Sequence, residues 1–262
     1  MRTIKAKRIV VKIGTNVMTD VNGTLNLDLI KNLVGQVSKI KNTGKELLII
    51  TSGAIGAGMK ELNLKSRPKN VTMQQVCAAI GQNILISNYQ SMFKKYGIKV
   101  AQILLSYENF LNKKTYYNLQ NSLNKLLDLG VVPIINENDP VSIDEIGPSF
   151  GDNDILSALI ASKIKADLLV ILTNVDGLFN KNPSSKNAIL IKEVKNIDKN
   201  IESIGGKPNG LGLGGMKTKI KAAKMATRAG VTVVIANGRK DNVLNKIINN
   251  EEVGTIFYSK NK

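Results

Sequence analysis

The sequence predicts an α/β fold, a three-layer αβα sandwich around a mainly parallel central sheet. Six short apolar runs, rich in valine, isoleucine and leucine, alternate along the chain with longer amphipathic segments. Continuous apolar runs of this length indicate strands that are buried on both faces, as in a parallel sheet covered by helices. The alternation of the two kinds of segment favours strand–helix–strand units joined by right-handed crossovers.

The individual elements follow from this alternation. We expect strands at 8–14, 46–54, 100–106, 131–138, 167–174 and 231–238. We expect helices at 26–43, 72–95, 115–129, 154–165 and 216–229. The more polar stretch 181–208 predicts a hairpin plus an excursion from the sheet. Because loops after the carboxyl ends of parallel strands meet at one edge, a ligand site is expected there.

Composition limits the classes of function that remain open. The chain has no histidine, which excludes Ser-His-Asp and Cys-His catalysis and the common histidine zinc sites. The single cysteine, Cys77, excludes an intramolecular disulfide framework and fits a reducing cytoplasm. No apolar run approaches the roughly 20 residues of a membrane span, so no membrane association is expected. With 262 residues and 43% hydrophobic content, the chain can bury a core as a single domain, 1–262.

A net charge of +17 leaves nucleic-acid binding open as a competing function. The lysines are spread along the chain without a dense basic block, and aromatic residues are only 4% of the sequence. Stacking platforms for bases are therefore not expected. These features favour a function without a nucleic-acid partner.

The stretch NGLGLGGMKTKIKAAKM, residues 209–225, places four glycines before a lysine-rich helical pattern. A glycine-rich turn that opens a helix typically holds phosphate through backbone amides and the positive helix end. The phosphate-loop motif fails here because Met216, not glycine, precedes Lys217-Thr218. A dinucleotide motif is also disfavoured, because no strand precedes the glycines. A flexible glycine loop that merely caps a helix stays open from this segment alone.

Two further segments at predicted strand ends contain residues suited to binding anions. Lys12 lies inside the apolar run VVKIG, where a lysine is costly unless it meets an anion or a carboxylate. An edge-strand lysine that reaches solvent is the alternative. The second strand ends in TSGAIGAG, whose small residues, Ser52, Gly53 and Ala54, let a ligand approach the backbone. A tight strand-to-helix turn would also explain this second segment.

Acidic and amide side chains follow the fourth predicted strand, in INENDPV and then GDND. Solvated loops often carry such residues, but at this edge they could bind an amino group or position magnesium and lysines. The fifth strand ends in LTNVDGLF, a turn suited to a nucleotide. A cationic, glycine-rich side opposite an acid- and amide-rich side suits phosphoryl transfer from ATP to a small amino-acid-like acceptor. A carboxylate acceptor needs no general base, which fits the absence of histidine.

The ordered set of VVKIGTNV, TSGAIGAG, INENDPV, GDND, LTNVDGLF and GLGGMKTK resembles the glutamate 5-kinase family of the amino acid kinase superfamily. The resemblance covers essentially the whole chain. It implies the amino acid kinase fold and phosphorylation of the γ-carboxylate of L-glutamate by MgATP, the first step of proline biosynthesis. It also implies a short form without the C-terminal PUA domain that many members carry.

The resemblance implies roles for individual residues. Lys12 and Lys219 would stabilise the transferring phosphoryl group, and Asp154 would orient both lysines. Glutamate would contact Ser52, Gly53, Ala54, Asp139, Asp152 and Asn153. ATP would contact Lys12, Thr173, Asn174, Leu213, Gly214, Gly215, Met216, Lys217, Thr218 and Lys219. Mg²⁺ would enter with ATP, and no side chain is assigned as a metal ligand.

The same resemblance implies an N-terminal lobe of about 1–169 that binds glutamate and a C-terminal lobe of about 170–262 that binds ATP. It further implies a homo-oligomer, dimer or tetramer, inhibited by proline. Two positions depart from the family pattern: Asn174, where aspartate is frequent, and Leu213, where a small hydroxyl residue is frequent. Both concern nucleotide affinity. A sister kinase acting on acetylglutamate, aspartate, carbamate or UMP remains the alternative.

Overall fold

The computed structural model describes residues 3–20, 24–141, 153–204 and 215–259. The strands are β1 (Arg8–Ile13), β2 (Glu46–Ile50), β3 (Val100–Leu105), β4 (Val132–Glu137), β5 (Leu168–Thr173), β6 (Glu193–Val194), β7 (Thr232–Asn237) and β8 (Thr255–Phe257). The helices are α1 (Thr15–Met18), α2 (Leu27–Lys41), α3 (Ala54–Glu61), α4 (Val71–Lys94), α5 (Glu108–Leu111), α6 (Lys113–Asp128), α7 (Asn153–Lys163), α8 (Lys199–Ile204), α9 (Met216–Arg228) and α10 (Val243–Ile248).

Within the described residues the strands form one sheet in the order β3-β4-β2-β1-β5-β7-β8-β6. Every neighbouring pair is parallel except β7 and β8, which run antiparallel. All six predicted strands and all five predicted helices are present, each within a few residues of its expected bounds. The predicted mainly parallel sheet is confirmed.

The sheet separates two hydrophobic cores, and each central strand contributes to both. Along β1, Ile9, Val11 and Ile13 belong to the core beneath α2 and α4. Val10, which points the other way, belongs to the core beneath α6, α7 and α9. This alternation follows from the two-residue period of a strand. The predicted three-layer αβα arrangement is therefore confirmed.

Several elements are shorter than any periodic pattern can reveal, and the sequence did not predict them. They include α1, α5, α10 and the three-residue strand β8. In 181–208 the predicted hairpin corresponds to a single antiparallel bridge between Phe179 and Leu190. It is followed by β6, which pairs parallel to β8, and by α8. Among the described residues no helix is both long enough and apolar enough to cross a membrane.

Helices α3 and α4 pack backbone against backbone at two glycines. A Cβ atom added at Gly81 would lie 1.8 Å from the carbonyl oxygen of Ala54, and one added at Gly58 would lie 1.8 Å from that of Cys77. Neither position tolerates a side chain unless the helices move apart. Since Ala54 begins α3 directly after β2, this contact fixes where the amino-terminal end of α3 lies.

Gly81→Ala is therefore expected to destabilise the protein by about 1–3 kcal/mol or more, the usual cost of overpacking. Urea unfolding followed by circular dichroism measures the change. Gly35→Ala is the matched control in α2, because its Cβ would meet only the hydroxyl of the 46% exposed Tyr96, at 3.1 Å. The control should lose no stability, since alanine has the higher helix propensity. Equal stability of the two variants would contradict the close packing.

Candidate active site

A cavity of about 440 Å³ lies at the carboxyl edge of the sheet, where a site was expected. The ends of β1, β2, β4 and β5 and the starts of α3, α7 and α9 surround it. Its lining includes Lys12, Thr15, Asn16, Ser52, Gly53, Ala54, Arg67, Asn136, Glu137, Asp139, Asn153, Thr173, Asn174, Phe179, Gly215, Met216 and Lys219. The cavity therefore collects segments that are up to about 200 residues apart in the chain, as parallel strand order predicts.

Two lysines that line the cavity, Lys12 and Lys219, share one buried carboxylate, that of Asp154. Lys12 Nζ lies 2.5 Å from Asp154 Oδ1, and Lys219 Nζ lies 2.9 Å from Asp154 Oδ2. Lys12 is 3% exposed, Asp154 0% and Lys219 5%, so both ion pairs are shielded from bulk water. Two ammonium groups and one carboxylate carry a net charge of +1. This cluster attracts an anion more strongly than an exposed pair would, because screening is weak where water is scarce.

Local structure explains why these side chains meet. Lys12 follows Val10 by two residues on β1, so it emerges on the face covered by α7 and α9. Asp154 is in the first turn of α7, where the helix dipole favours a negative charge. Lys219 is in the first turn of α9, and helical side chains tilt toward the amino terminus, here toward the sheet edge.

Lys217 and Thr218, the two residues before Lys219, occupy different environments. Lys217 is exposed, as expected from the roughly 200° that separates residues two apart on a helix. Thr218 Oγ1 lies 3.0 Å from Asp154 Oδ2 and 2.8 Å from the carbonyl oxygen of Gly215. It thus links the shared carboxylate to the start of α9. Lys12 and Lys219 both contact Asp154, and their convergence on the γ-phosphate of ATP stays a prediction.

Helices α3 and α9 present their amino termini to the cavity without a side-chain cap. Their N-cap residues are Gly53 and Gly215, which have no side chain to accept from the first-turn amides. Gly53 adopts φ of 98°, a left-handed conformation that favours glycine. Uncapped amides at a helix start bind anions through hydrogen bonds and the helix dipole together. The cavity can therefore accept anionic groups at two helix ends.

One wall of the cavity is built from neutral amides and a hydroxyl. Asn153 Nδ2 lies 2.8 Å from the carbonyl oxygen of Thr51, 3.1 Å from Ser52 Oγ and 2.9 Å from Asn136 Oδ1. Asn136 Nδ2 in turn donates to Gln82 Oε1 at 2.9 Å. Asn153 Oδ1 is shielded from solvent and has no hydrogen-bond partner among the described residues. A buried acceptor in this position favours a ligand that donates a hydrogen bond.

The opposite wall follows β5. Thr173 and Asn174 line the cavity at the end of this strand, and Phe179 and Met216 add apolar surface. In the turn after β5 the Asp176 carboxylate accepts from Lys240 Nζ at 2.7 Å and from Asn237 Nδ2 at 3.0 Å. The hydrogen bond from Lys240, together with that from Asn237, holds the pKa of the Asp176 carboxyl below its usual value. These two hydrogen bonds join the turn after β5 to the end of β7 and to the turn that follows it.

The structure brings most of the predicted site residues to the cavity. Ser52, Gly53, Ala54, Asp139 and Asn153 line it on one side, and Thr173, Asn174, Gly215 and Met216 on the other. Lys217 and Thr218 do not belong to its lining, and their contacts with ATP stay a prediction. Asp152, Leu213 and Gly214 lie outside the described residues.

Sequence reasoning missed Gln82 and Arg67. Gln82 follows Ala78 by four residues and precedes Leu85 by three, so it lies on the buried face of α4. A polar residue at that spacing was the available signal. Arg67, between α3 and α4, gave no periodic signal at all.

Comparisons with the sequences of known proteins identify the family of the chain. Residues 7–237 match the sequence profile of the amino acid kinase family. A glutamate 5-kinase of Caldanaerobacter subterraneus is 50% identical over 95% of this chain and 67% of its own length. A glutamate 5-kinase of Clostridium acetobutylicum is 46% identical over 97% of this chain and 96% of its own length.

The fold comparison reaches a more distant protein. A carbamate kinase from Giardia lamblia bound to AMP-PNP superposes with a TM-score of 0.70 at 16% identity, covering 97% of this chain and 99% of that one. At that identity the likeness concerns the fold alone. The family profile and the relatives at 46–50% identity define the class of the protein, a kinase. The chain belongs to the amino acid kinase family, and within it to the glutamate 5-kinases.

The shared carboxylate generates a stability prediction. Asp154→Asn leaves two buried ammonium groups beside a neutral amide, and breaking a buried ion pair in this way costs about 3–5 kcal/mol. Urea unfolding of the ligand-free protein measures it. Lys219→Met is the control, because it keeps a one-to-one pair between Lys12 and Asp154, and it should cost much less. Equal losses in the two variants would show that the carboxylate does not hold the cluster together.

Proposed function

We propose that the protein transfers the γ-phosphoryl group of MgATP to the γ-carboxylate of L-glutamate, giving L-glutamyl 5-phosphate for proline biosynthesis. The observation that carries the proposal is the buried Lys12–Asp154–Lys219 cluster between an amide-lined wall and a wall that follows β5. Two anionic reactants can meet there with cationic groups between them. Membership of the glutamate 5-kinase family supports the same acceptor.

The reaction needs charge neutralisation rather than proton transfer. The γ-carboxyl of glutamate, with a reference pKa of about 4.3, is ionised at neutral pH. One of its oxygens forms a bond to the γ-phosphorus of ATP. The bond from that phosphorus to the β,γ-bridging oxygen breaks, and ADP leaves with the electron pair. No proton moves, which agrees with a site that needs no histidine.

Lys12 and Lys219 approach the transferring group from β1 and from α9. Their charges offset the repulsion between carboxylate and phosphate and stabilise the charge that spreads over the phosphoryl oxygens in the transition state. Asp154 holds both ammonium groups in place before the reactants arrive. Preorganisation of this kind avoids rearrangement of the site during the reaction.

The acceptor lies against the amide wall. Its α-ammonium group donates to Asn153 Oδ1 and is attracted by Asp139, which lines the same side. The uncapped amides at the start of α3, beside Ser52, suit a carboxylate of glutamate. Asp152 is proposed to join this site.

The nucleotide lies along β5 and the start of α9. Thr173, Asn174 and the segment that begins at Leu213 and Gly214 are proposed to hold it, with phosphates at the uncapped end of α9. Among the described residues no three acidic or cysteine side chains are grouped to hold a metal ion. Mg²⁺ is proposed to enter with ATP, where it would neutralise phosphate charge.

Four finer statements rest on family membership and stay predictions. The glutamate side is assigned to 1–169 and the ATP side to 170–262. The protein is proposed to work in the cytoplasm as a homo-oligomer. Proline is proposed to compete with glutamate as a feedback inhibitor.

Turnover is expected with free L-glutamate and MgATP. Hydroxylamine should trap the product as a hydroxamate, because an acyl phosphate acylates it, and the colour of its iron complex measures the yield. N-acetyl-L-glutamate is the control: acetylation removes the positive charge that the amide wall and Asp139 would bind. Activity with acetylglutamate and none with glutamate would contradict the proposed acceptor.

Lys219→Ala is expected to lower kcat about 100- to 1000-fold, as loss of one preorganised charge typically does. The KM for glutamate should hardly change, because the contact strengthens mainly in the transition state. Lys221→Ala, which removes an exposed lysine of the same helix outside the cavity lining, is the matched control and should change kcat little. Lys217→Ala, which removes an exposed lysine assigned only to ATP contact, should lower kcat far less than Lys219→Ala. Steady-state kinetics separates these variants.

Asp139→Ala is expected to have the opposite kinetic effect in the same assay. Because Asp139 is assigned to acceptor binding, its loss should raise the KM for glutamate rather than lower kcat. A larger effect from Lys217→Ala than from Lys219→Ala would refute the assignment of the catalytic lysine.

A further inference from the structure

We infer that Gln82 is a positioning residue for the acceptor, acting through a chain of three side-chain amides. The inference rests on the proposed function. Gln82 lies in the middle of α4 and is 7% exposed, and its partner Asn136, at the end of β4, is 2% exposed. Gln82 is not part of the cavity lining, so it reaches the acceptor only through other side chains.

The polarity of the amide chain is fixed at one end by the backbone. Asn153 Nδ2 lies 2.8 Å from the carbonyl oxygen of Thr51, which can only accept a hydrogen bond. The amide of Asn153 is therefore oriented with its nitrogen toward the sheet. Asn136 must accept through Oδ1, at 2.9 Å, which leaves its Nδ2 to donate to Gln82 Oε1, also at 2.9 Å.

This polarity decides what the site can recognise. Asn153 lines the cavity, and its Oδ1 is a buried acceptor that has no partner among the described residues. An ammonium group supplies the missing donor. A carboxylate or a methylene group at that point has no N–H or O–H to donate and leaves the buried acceptor unpaired. Gln82 supplies the acceptor that holds Asn136, and Asn136 in turn holds Asn153. Gln82 thus strengthens the preference of the site for an acceptor that carries an α-amino group.

The helix that carries Gln82 is fixed relative to the site by an independent contact. Gly81, its neighbour, packs against the carbonyl oxygen of Ala54 at the start of α3. Gln82, which begins the amide chain, and Gly81, which makes this backbone contact, are adjacent in α4, and both contacts lie at the same edge of the sheet. The position of Gln82 relative to Asn153 is therefore set by close packing, which a positioning residue requires.

The test compares two acceptors in one variant. Gln82→Met keeps the volume and removes the acceptor, and it is expected to raise the KM for L-glutamate about tenfold, the size of one lost buried hydrogen bond. The KM for ATP and kcat should stay within about twofold. Glutarate, which is glutamate without the α-amino group, should be a poor substrate whose kcat/KM is unchanged by the variant. The ratio of kcat/KM for glutamate to that for glutarate therefore falls.

Two further variants control the experiment. Gln82→Glu keeps an oxygen that accepts from Asn136 in either protonation state, so it should restore most of the discrimination, and it serves alone if Gln82→Met does not fold. Gln90→Met changes an exposed glutamine of the same helix and should have no effect.

Loss of activity toward glutamate and glutarate in equal proportion would overturn the inference, because a merely structural role predicts it. A folded Gln82→Glu protein that discriminates as poorly as Gln82→Met would overturn it too. Wild-type turnover of L-glutamate is measured first. Its absence contradicts the proposed function, whereas an active wild type with unchanged discrimination in Gln82→Met contradicts only the role of Gln82.

Discussion

The sharing of the Asp154 carboxylate by two buried lysines is the interaction on which the rest of the site depends. It joins β1, α7 and α9, three elements that are far apart in sequence, at distances of 2.5 and 2.9 Å. Burying two ammonium groups is costly unless their charge is offset. The fold therefore has to bring these elements together with little tolerance, and the packing around them serves that requirement.

The sheet provides that accuracy through its register. Lys12 pairs with Ile171 of β5 and with Ile50 of β2, so the lysine is held between two central strands. A shift of one residue would turn its side chain to the other face of the sheet, toward α2 and α4. On the acceptor side the contact between Gly81 and Ala54 plays the same part for α3. The position of Lys12 and the acceptor wall thus depend on backbone geometry.

The fold could be predicted from the sequence because periodicity reports burial. A lysine inside VVKIG is conspicuous against apolar neighbours, and Lys12 was identified in this way, whereas the roles of Asp154 and Lys219 came from the family resemblance. Elements such as α1 and β8 could not be predicted, since four- and three-residue segments carry no period. The amide chain was missed for a different reason. A neutral glutamine costs little to bury once paired, so Gln82 leaves only a faint signal in a helix that carries several other glutamines and asparagines.

The two halves of the cavity differ in charge for a reason that the reaction supplies. Two lysines without a carboxylate would bind ATP, ADP and the acyl phosphate tightly in their ground states, which slows release and adds nothing to the chemical step. In the proposed reaction Asp154 offsets part of that attraction and holds both ammonium groups in place before charge develops on the transferring phosphoryl group. On the acceptor wall the proposed ammonium site combines neutral amides, which act by direction, with the Asp139 carboxylate, which acts by charge. A site built this way can recognise the amino acid at a distance from the reacting atoms without diminishing the field of Lys12 and Lys219 at the phosphate.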